Sequence, residues 1–282
     1  MNSPAELIDY QVSKIDKKSN VELLLYGGIN YNNYSAKNEI TTENEEEIDE
    51  FSALKTRRGK TKFDYLNGTN NEVKKIQSKG AENGFVSTIL NEDNATEESI
   101  KALDGRTNPF VLHLATHGFF FPHPEQEIPK DVLLETGKAK IYKASDNPLM
   151  RSGLLFAGAN NFWSKTNLTS TTDDGILTAN EISNLDLSVC QLVVLSACET
   201  ALGEVKGSEG VFGLQRAFKM AGVKNIIMSL WKVPDTQTAE LFEIFYSECF
   251  VGKTIHEAFQ IAQSKMKAKY SPYYWAGFVL LE

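Results

Sequence analysis

The chain has 282 residues, with 29 Lys and Arg against 37 Asp and Glu, for a formal net charge of -8. That balance argues against direct nucleic-acid binding, which needs clustered cations, and three irregularly spaced cysteines make no disulfide framework. No stretch has the length of a membrane span or the apolar core of a signal peptide, so the sequence reads as cytoplasmic, in a reducing compartment with no membrane partner.

Residues 1–20 are polar and read as a leader or short helix, followed by one domain over 21–282. Val21–Tyr26 forms a first buried strand, closed by a tight turn at Gly27-Gly28. Asn30–Glu50 is an acidic loop, and the basic cluster Lys55–Lys60 a solvated one. Val73 and Ile76 give Asn71–Lys79 helical spacing, and Phe85–Leu90 is a second strand. Asn94–Glu97 reads as a capping box opening a helix to Leu103. A third strand runs from Phe110 and stops at His117-Gly118. Pro122–Asp174 is a long excursion around the apolar Ser152–Gly158, expected as a rim or lid because it leaves from His117-Gly118.

Thr178–Glu181 is a second capping box. Gln191–Ala197 is another buried strand, ending at Cys198. Ser208 is placed to cap a helix through Ala221 whose apolar face is Val211, Leu214, Ala217 and Phe218. A strand over Asn225–Leu230, a helix over Asp235–Phe250, a helix opened by Thr254–Glu257 and a last strand over Tyr273–Leu281 complete the chain. There is no internal repeat. The alternation of strands and helices predicts an α/β fold, with a mainly parallel central sheet and helices on both faces. In such sheets sites form beyond the C-terminal ends of the strands.

Cys198 and His117 both stand there. If their two strands are neighbours in a parallel sheet, the thiol and the imidazole can face one another across one sheet edge, where the imidazole can manage the proton of a nucleophilic thiol. Cys190 and Cys249 lie among apolar neighbours and read as small buried hydrophobes. His113 sits inside its strand, in a core hydrogen-bonding role, while His123 and His256 are solvated. His113 and His117 have the spacing of a zinc pair only on a helix, and this segment is a strand, so no metal or other cofactor is expected. No Gly-x-Ser-x-Gly elbow is present. Glu199 adjoins Cys198 and takes a pocket or structural role, and Trp231 either lines a side-chain pocket or packs under a loop.

The strings HLATHGFF, from His113, and VVLSACETALGEVKGSEGVFGLQRAF, from Val193, resemble the His and Cys motifs of CHAT-domain proteins, bacterial relatives of caspases and separase. The resemblance continues through LYGGINY, NPLMRSGLLFAGAN, NIIMSLWKVPDTQTAELFEIFY and YYWAGFVLL, from about Leu23 to the C-terminus. Ala201 and Ser208 stand where the family commonly has Gly, and neither change removes a reactive group. The resemblance implies a caspase-like fold and a cysteine endopeptidase of a specific protein substrate. Cys198 would be its nucleophile and His117 its proton carrier, with the backbone N–H groups of Gly118 and Cys198 as oxyanion donors. A catalytically silent scaffold on the same fold is the rival reading.

Ser229–Asp235 resembles the segment with which caspases and separase pair an extended substrate. This implies substrate contacts from Trp231, Lys232, Val233 and Asp235, with Glu199 beside them. Separases carry Asp where Lys232 stands, suited to a substrate Arg. Lys232 instead implies a preference for an uncharged or acidic residue before the scissile bond. CHAT domains commonly accompany helical repeats such as TPRs, so a TPR sensor or regulator is an expected partner. Bacterial relatives act in defence and cell death, some cleaving pore-forming gasdermins and one working with an RNA-guided complex.

Overall fold

A computed structural model describes residues 15, 22–32, 62–103, 105, 108–121, 145, 147–163, 173–196, 209–231 and 233–282. Its strands are β1 (Glu22–Ile29), β2 (Val86–Glu92), β3 (Val111–Leu114), β4 (Gly118–Phe120), β5 (Ser152–Leu155), β6 (Ile176–Thr178), β7 (Leu192–Leu195), β8 (Asn225–Ser229) and β9 (Phe278–Leu281). The helices are α1 (Asn67–Glu82), α2 (Glu97–Lys101), α3 (Ala159–Trp163), α4 (Ala179–Ile182), α5 (Glu209–Met220), α6 (Asp235–Phe250) and α7 (Ile255–Lys267). The expected leader over 1–20 lies outside the described residues apart from Ile15, as do residues 33–61, His123 and Ser208.

Six strands form the main sheet in the order β2-β1-β3-β7-β8-β9. Five run parallel, and β9 closes the edge antiparallel to β8. This is the α/β architecture expected, with a shorter final strand because Pro272–Tyr274 forms a 3-10 turn first. β3 and β7 occupy the middle and are buried on both faces, which is why each reads as an unbroken apolar run rather than an alternating one.

Alternation along the strands nevertheless sorts the core into two layers. Leu23, Leu25, Val111, Leu192, Val194 and Ile227 pack under α1, α6 and α7 with Val73, Phe242, Phe245, Ala258 and Phe259. Tyr26, Leu112, Leu114, Val193, Leu195 and Ile226 face the opposite layer with Ile100, Ile182, Ala217 and Phe218. The capping box at Thr178 forms as expected and Thr254 opens α7 with another, Glu181 and Glu257 reaching back to the cap N–H groups.

Three expectations are corrected. β1 does not end at Gly27-Gly28 but runs on to Ile29 through an irregularity in its pairing. Gly28 there adopts φ +65°, and a Cβ on Gly27 would lie 2.6 Å from the Thr69 carbonyl oxygen, so the pair lets α1 sit directly on the strand. At α2 the cap is Thr96, which accepts from Ser99 N–H, while Asn94 closes a turn onto Asn91. Finally, the middle of the long excursion is core, not rim. β5 is wholly buried and is the central strand of an antiparallel sheet β4-β5-β6.

Candidate functional site

The two central strands set the site. In the β3–β7 ladder Val111 pairs with Leu192 and Leu114 with Leu195, and Ser196 N–H still donates to the Leu114 carbonyl at 3.0 Å. His117 follows Leu114 by three positions, and Cys198 follows Leu195 by the same number. Cys198, Glu199 and Lys232 lie outside the described residues.

His117 is almost wholly buried and is held from several directions. Its N–H donates to the Tyr31 hydroxyl at 3.3 Å, and its carbonyl accepts from Leu155 N–H at 2.9 Å. The Tyr31 hydroxyl in turn bonds Thr116 Oγ1 at 2.9 Å, and Thr116 Oγ1 donates to the Leu155 carbonyl. On the side chain, Nε2 meets the carbonyl oxygen of Asp64 at 2.8 Å. A carbonyl can only accept, so Nε2 carries a hydrogen, and the neutral ring offers Nδ1 as its basic nitrogen. The rings of Tyr31 and Phe63 flank the imidazole, with centroids at 5.0 and 5.4 Å.

Asp64 reaches this place because the segment before α1 is clamped by α3. Asn160 Oδ1 accepts from Phe63 N–H at 2.7 Å, and its Nδ2 donates to the Phe63 carbonyl at 2.9 Å. Trp163, one helical turn on, meets the Phe63 ring edge-on at 5.0 Å. Asp64, Tyr31, Phe63 and Asn160 were not singled out from the sequence. Tyr31 and Asn160 fall within motif strings, but Asp64 acts through its main chain, which leaves no residue-type signal.

Gly118 opens β4 and pairs with Leu154 in the small sheet, which anchors the main chain directly after His117. Trp231 is about a third exposed, donates from Nε1 to the Tyr273 carbonyl at 2.9 Å and stacks on the Tyr273 ring. It also lies so close over Gly277 that a Cβ there would fall 2.7 Å from the indole. Val233 is buried in the layer beneath α6 and α7. Asp235 starts α6 and packs against the first turn of α1, where a Cβ on Gly68 would sit 2.4 Å from that of Asp235. Its carboxylate thus stands near the positive end of a helix dipole, a few residues along the chain from Asp64. The structure therefore brings His117, Asp64 and the start of α1 together, with Asp235 at the edge of that group. Trp231 stands at the β8–β9 end of the sheet.

The remaining polar core residues have other roles. His113 is fully buried, with Nε2 2.9 Å from Glu72 and Nδ1 3.2 Å from the Tyr246 hydroxyl. This is the hydrogen-bonding role expected of it. Burial holds the Tyr246 hydroxyl well above its ordinary pKa, so it keeps its proton beside Nδ1. Cys190 and Cys249 are buried, and burial pushes the Cys190 thiol up to about 12 and the Cys249 thiol higher still. His256 is exposed beside Gln260 and Glu282. Among the described residues no group of three His, Cys, Asp or Glu is placed to hold a metal ion, and no helix is long and apolar enough to cross a membrane.

The CHAT domain family model matches residues 1–282, the whole chain. The chain is 38% identical over 165 residues to tetratricopeptide repeat protein 28 of Mus musculus, covering 57% of this chain and 6% of that protein. It is 36% identical over 110 residues to tetratricopeptide repeat protein 28 of Homo sapiens, covering 38% of this chain and 4% of that protein. The matched region therefore spans a small fraction of the length of these relatives.

Proposed function

This chain belongs to the CHAT-domain family, with its caspase-like α/β fold, and from that premise we propose that it is a cysteine endopeptidase cleaving a specific protein substrate. The observation that carries the reading is the β3–β7 register, from which His117 and Cys198 follow their paired leucines at equal distance along the chain. Two reactive groups leaving one sheet edge from adjacent central strands are what nucleophilic thiol chemistry requires.

In this reading His117 Nδ1 takes the proton of Cys198, and the thiolate attacks the substrate carbonyl. The Nε2–H bond to Asp64 steadies the imidazolium that forms, much as a carboxylate does in a Ser-His-Asp triad. The backbone N–H groups of Gly118 and Cys198 receive the oxyanion, a contribution of about 3 kcal/mol per donor. The imidazolium then gives its proton to the leaving amine, and water releases the acyl group. Substrate lies along Trp231–Asp235, with Lys232 disfavouring a basic residue before the scissile bond and Glu199 at the pocket edge. No metal or cofactor takes part.

The similarity to proteins named for tetratricopeptide repeats supports a helical-repeat sensor or regulator as partner, within a longer chain or separate. The proposed setting is a defence, cell-death or signalling pathway of the bacterial kind. An electrophilic thiol probe applied to the native protein tests the reading. Labelling of Cys198 that is lost in His117→Ala supports a peptidase. An unreactive Cys198 in a folded protein supports a silent scaffold instead.

A further inference from the structure

We propose that Asn160 is a positioning residue for His117, acting through the main chain of Phe63-Asp64. This rests on the reading of His117 and Cys198 as a dyad. The carboxamide of Asn160 is buried and fully engaged. Oδ1 accepts from Phe63 N–H at 2.7 Å, and Nδ2 donates both to the Phe63 carbonyl and to Asn32 Oδ1, each at 2.9 Å. Its own N–H donates to the Tyr31 carbonyl at 2.9 Å.

One amide side chain thus grips both polar groups of a single residue, as a neighbouring β-strand would, and fixes the backbone angles of Phe63. The next carbonyl along, that of Asp64, is the acceptor for His117 Nε2. The clamp also spans three separate stretches of chain: the end of β1, the segment before α1, and α3. Of these, Phe63-Asp64 supplies the carbonyl that meets the imidazole at Nε2.

Residue chemistry explains why asparagine stands here. Donating to a carbonyl while accepting from an N–H needs a side chain with both functions, and glutamine would add a methylene in a buried site. An ionised aspartate keeps the acceptor but sets a negative oxygen against the Phe63 carbonyl. Protonated, it regains a donor. The acceptor at Nε2 fixes the tautomer and orientation of the ring, so loosening it degrades the aim of Nδ1.

The experiment uses the full chain, with nitrogen-15-labelled histidine and two readouts. The first is the His117 Nε2–H resonance, whose protection from solvent exchange reports the bond to Asp64 and needs no peptidase activity. The second is the rate of Cys198 alkylation by iodoacetamide between pH 5 and 8. In Asn160→Ala the Nε2–H signal is expected to vanish into exchange, and alkylation at neutral pH to slow at least about tenfold, with circular dichroism unchanged. Asn160→Asp is the second variant, should alanine not fold. It should lose the signal at pH 7.5 and recover it in acid as the carboxyl protonates, which a purely structural filler would not do. A folded variant that keeps a protected Nε2–H and the native alkylation rate overturns the proposal. If Cys198 of the unaltered protein is itself unreactive, the peptidase reading fails while the resonance still decides the role of Asn160.

Discussion

Glu72, on α1, accepts a hydrogen bond from His113 Nε2 on β3 at 2.9 Å. Its second oxygen accepts from Ser196 Oγ at the end of β7, at 3.2 Å. All three residues are buried. One carboxylate therefore ties together the two central strands from which His117 and Cys198 emerge, on the face opposite the small sheet.

Removing that carboxylate strands the imidazole N–H and the Ser196 hydroxyl in the core. Glu72→Ala is expected to destabilise the fold by about 3 kcal/mol. Glu72→Gln still offers one acceptor and a donor that Ser196 can accept, so about 1 kcal/mol is expected. Urea unfolding measures both. An alanine variant within about 0.5 kcal/mol of the parent, the range of an ordinary surface change, would show that the bridge is incidental.

Thiol reactivity should be sharply selective. The thiolate is the reactive form, and burial pushes Cys190 up to about 12 and Cys249 higher. Neither forms appreciable thiolate near pH 7. Iodoacetamide is expected to modify one of the three cysteines in the native chain, Cys198, and all three in urea. Mass spectrometry of the labelled peptides reads the result. Modification of Cys190 or Cys249 ahead of Cys198 would contradict both the buried placement and the dyad.

Proteolysis should need both dyad members as one unit. Cys198→Ala and His117→Ala are each expected to abolish cleavage, with the double variant no worse, because coupled catalytic groups are not additive. His117→Ala also gives up the bond to Asp64, so a stability loss of about 1 kcal/mol accompanies it. Chelators should leave turnover intact. Near-normal cleavage by His117→Ala, or strong inhibition by EDTA reversed by zinc, would move the chemistry elsewhere.

What the sequence made legible follows what physics writes into side chains. The runs Phe110–Leu114 and Gln191–Leu195 announce central strands because a strand buried on both faces has no polar alternation to keep. Thr178 and Thr254 announce helix starts because their partners are three residues away. Asn94 misleads for the opposite reason, since the choice between it and Thr96 is made by distant groups. Starting α2 after Thr96 sends Glu97 to the N–H groups of Asp174 and Gly175. β4 was hidden because three residues led by glycine carry too little pattern, and its pairing with β5 spans a long separation in sequence. At the site, His117 was readable as an imidazole at a strand end. The Asp64 carbonyl was not, being a main-chain group that any residue type can supply, and the Asn160 clamp was not, because the groups it grips are the main chain of Phe63.

The cluster around Lys101 gives the last prediction, and its pH dependence has a definite sign. Lys101 Nζ lies 2.5 Å from Glu97, 3.0 Å from Asp173 and 2.8 Å from Glu181. Burial pulls the ammonium down, but hydrogen bonds to Glu181, Glu97 and Asp173 outweigh it and hold Lys101 above its ordinary value. Burial, opposed by the Lys101 hydrogen bond, raises the Glu97 carboxyl to about 7. That is above its unfolded value of about 4.3. Between these values the folded chain holds a proton that the unfolded chain has released, so this group's contribution is most favourable in acid and declines as pH rises through about 7. Lys101→Met removes the cation that makes the ionised Glu97 tolerable. At pH 5 Glu97 is protonated in both folded proteins, and the variant should trail by under about 1 kcal/mol, the worth of its partly exposed pairs. At pH 8 the parent has ionised Glu97 while the variant, lacking the cation, holds that carboxyl protonated, and the gap should widen by about 1.4 kcal/mol, the worth of one pH unit above about 7. Thermal and urea unfolding across pH 5 to 8 measure the gap. A difference that stays constant over that range would show that Glu97 is not the group that answers to Lys101.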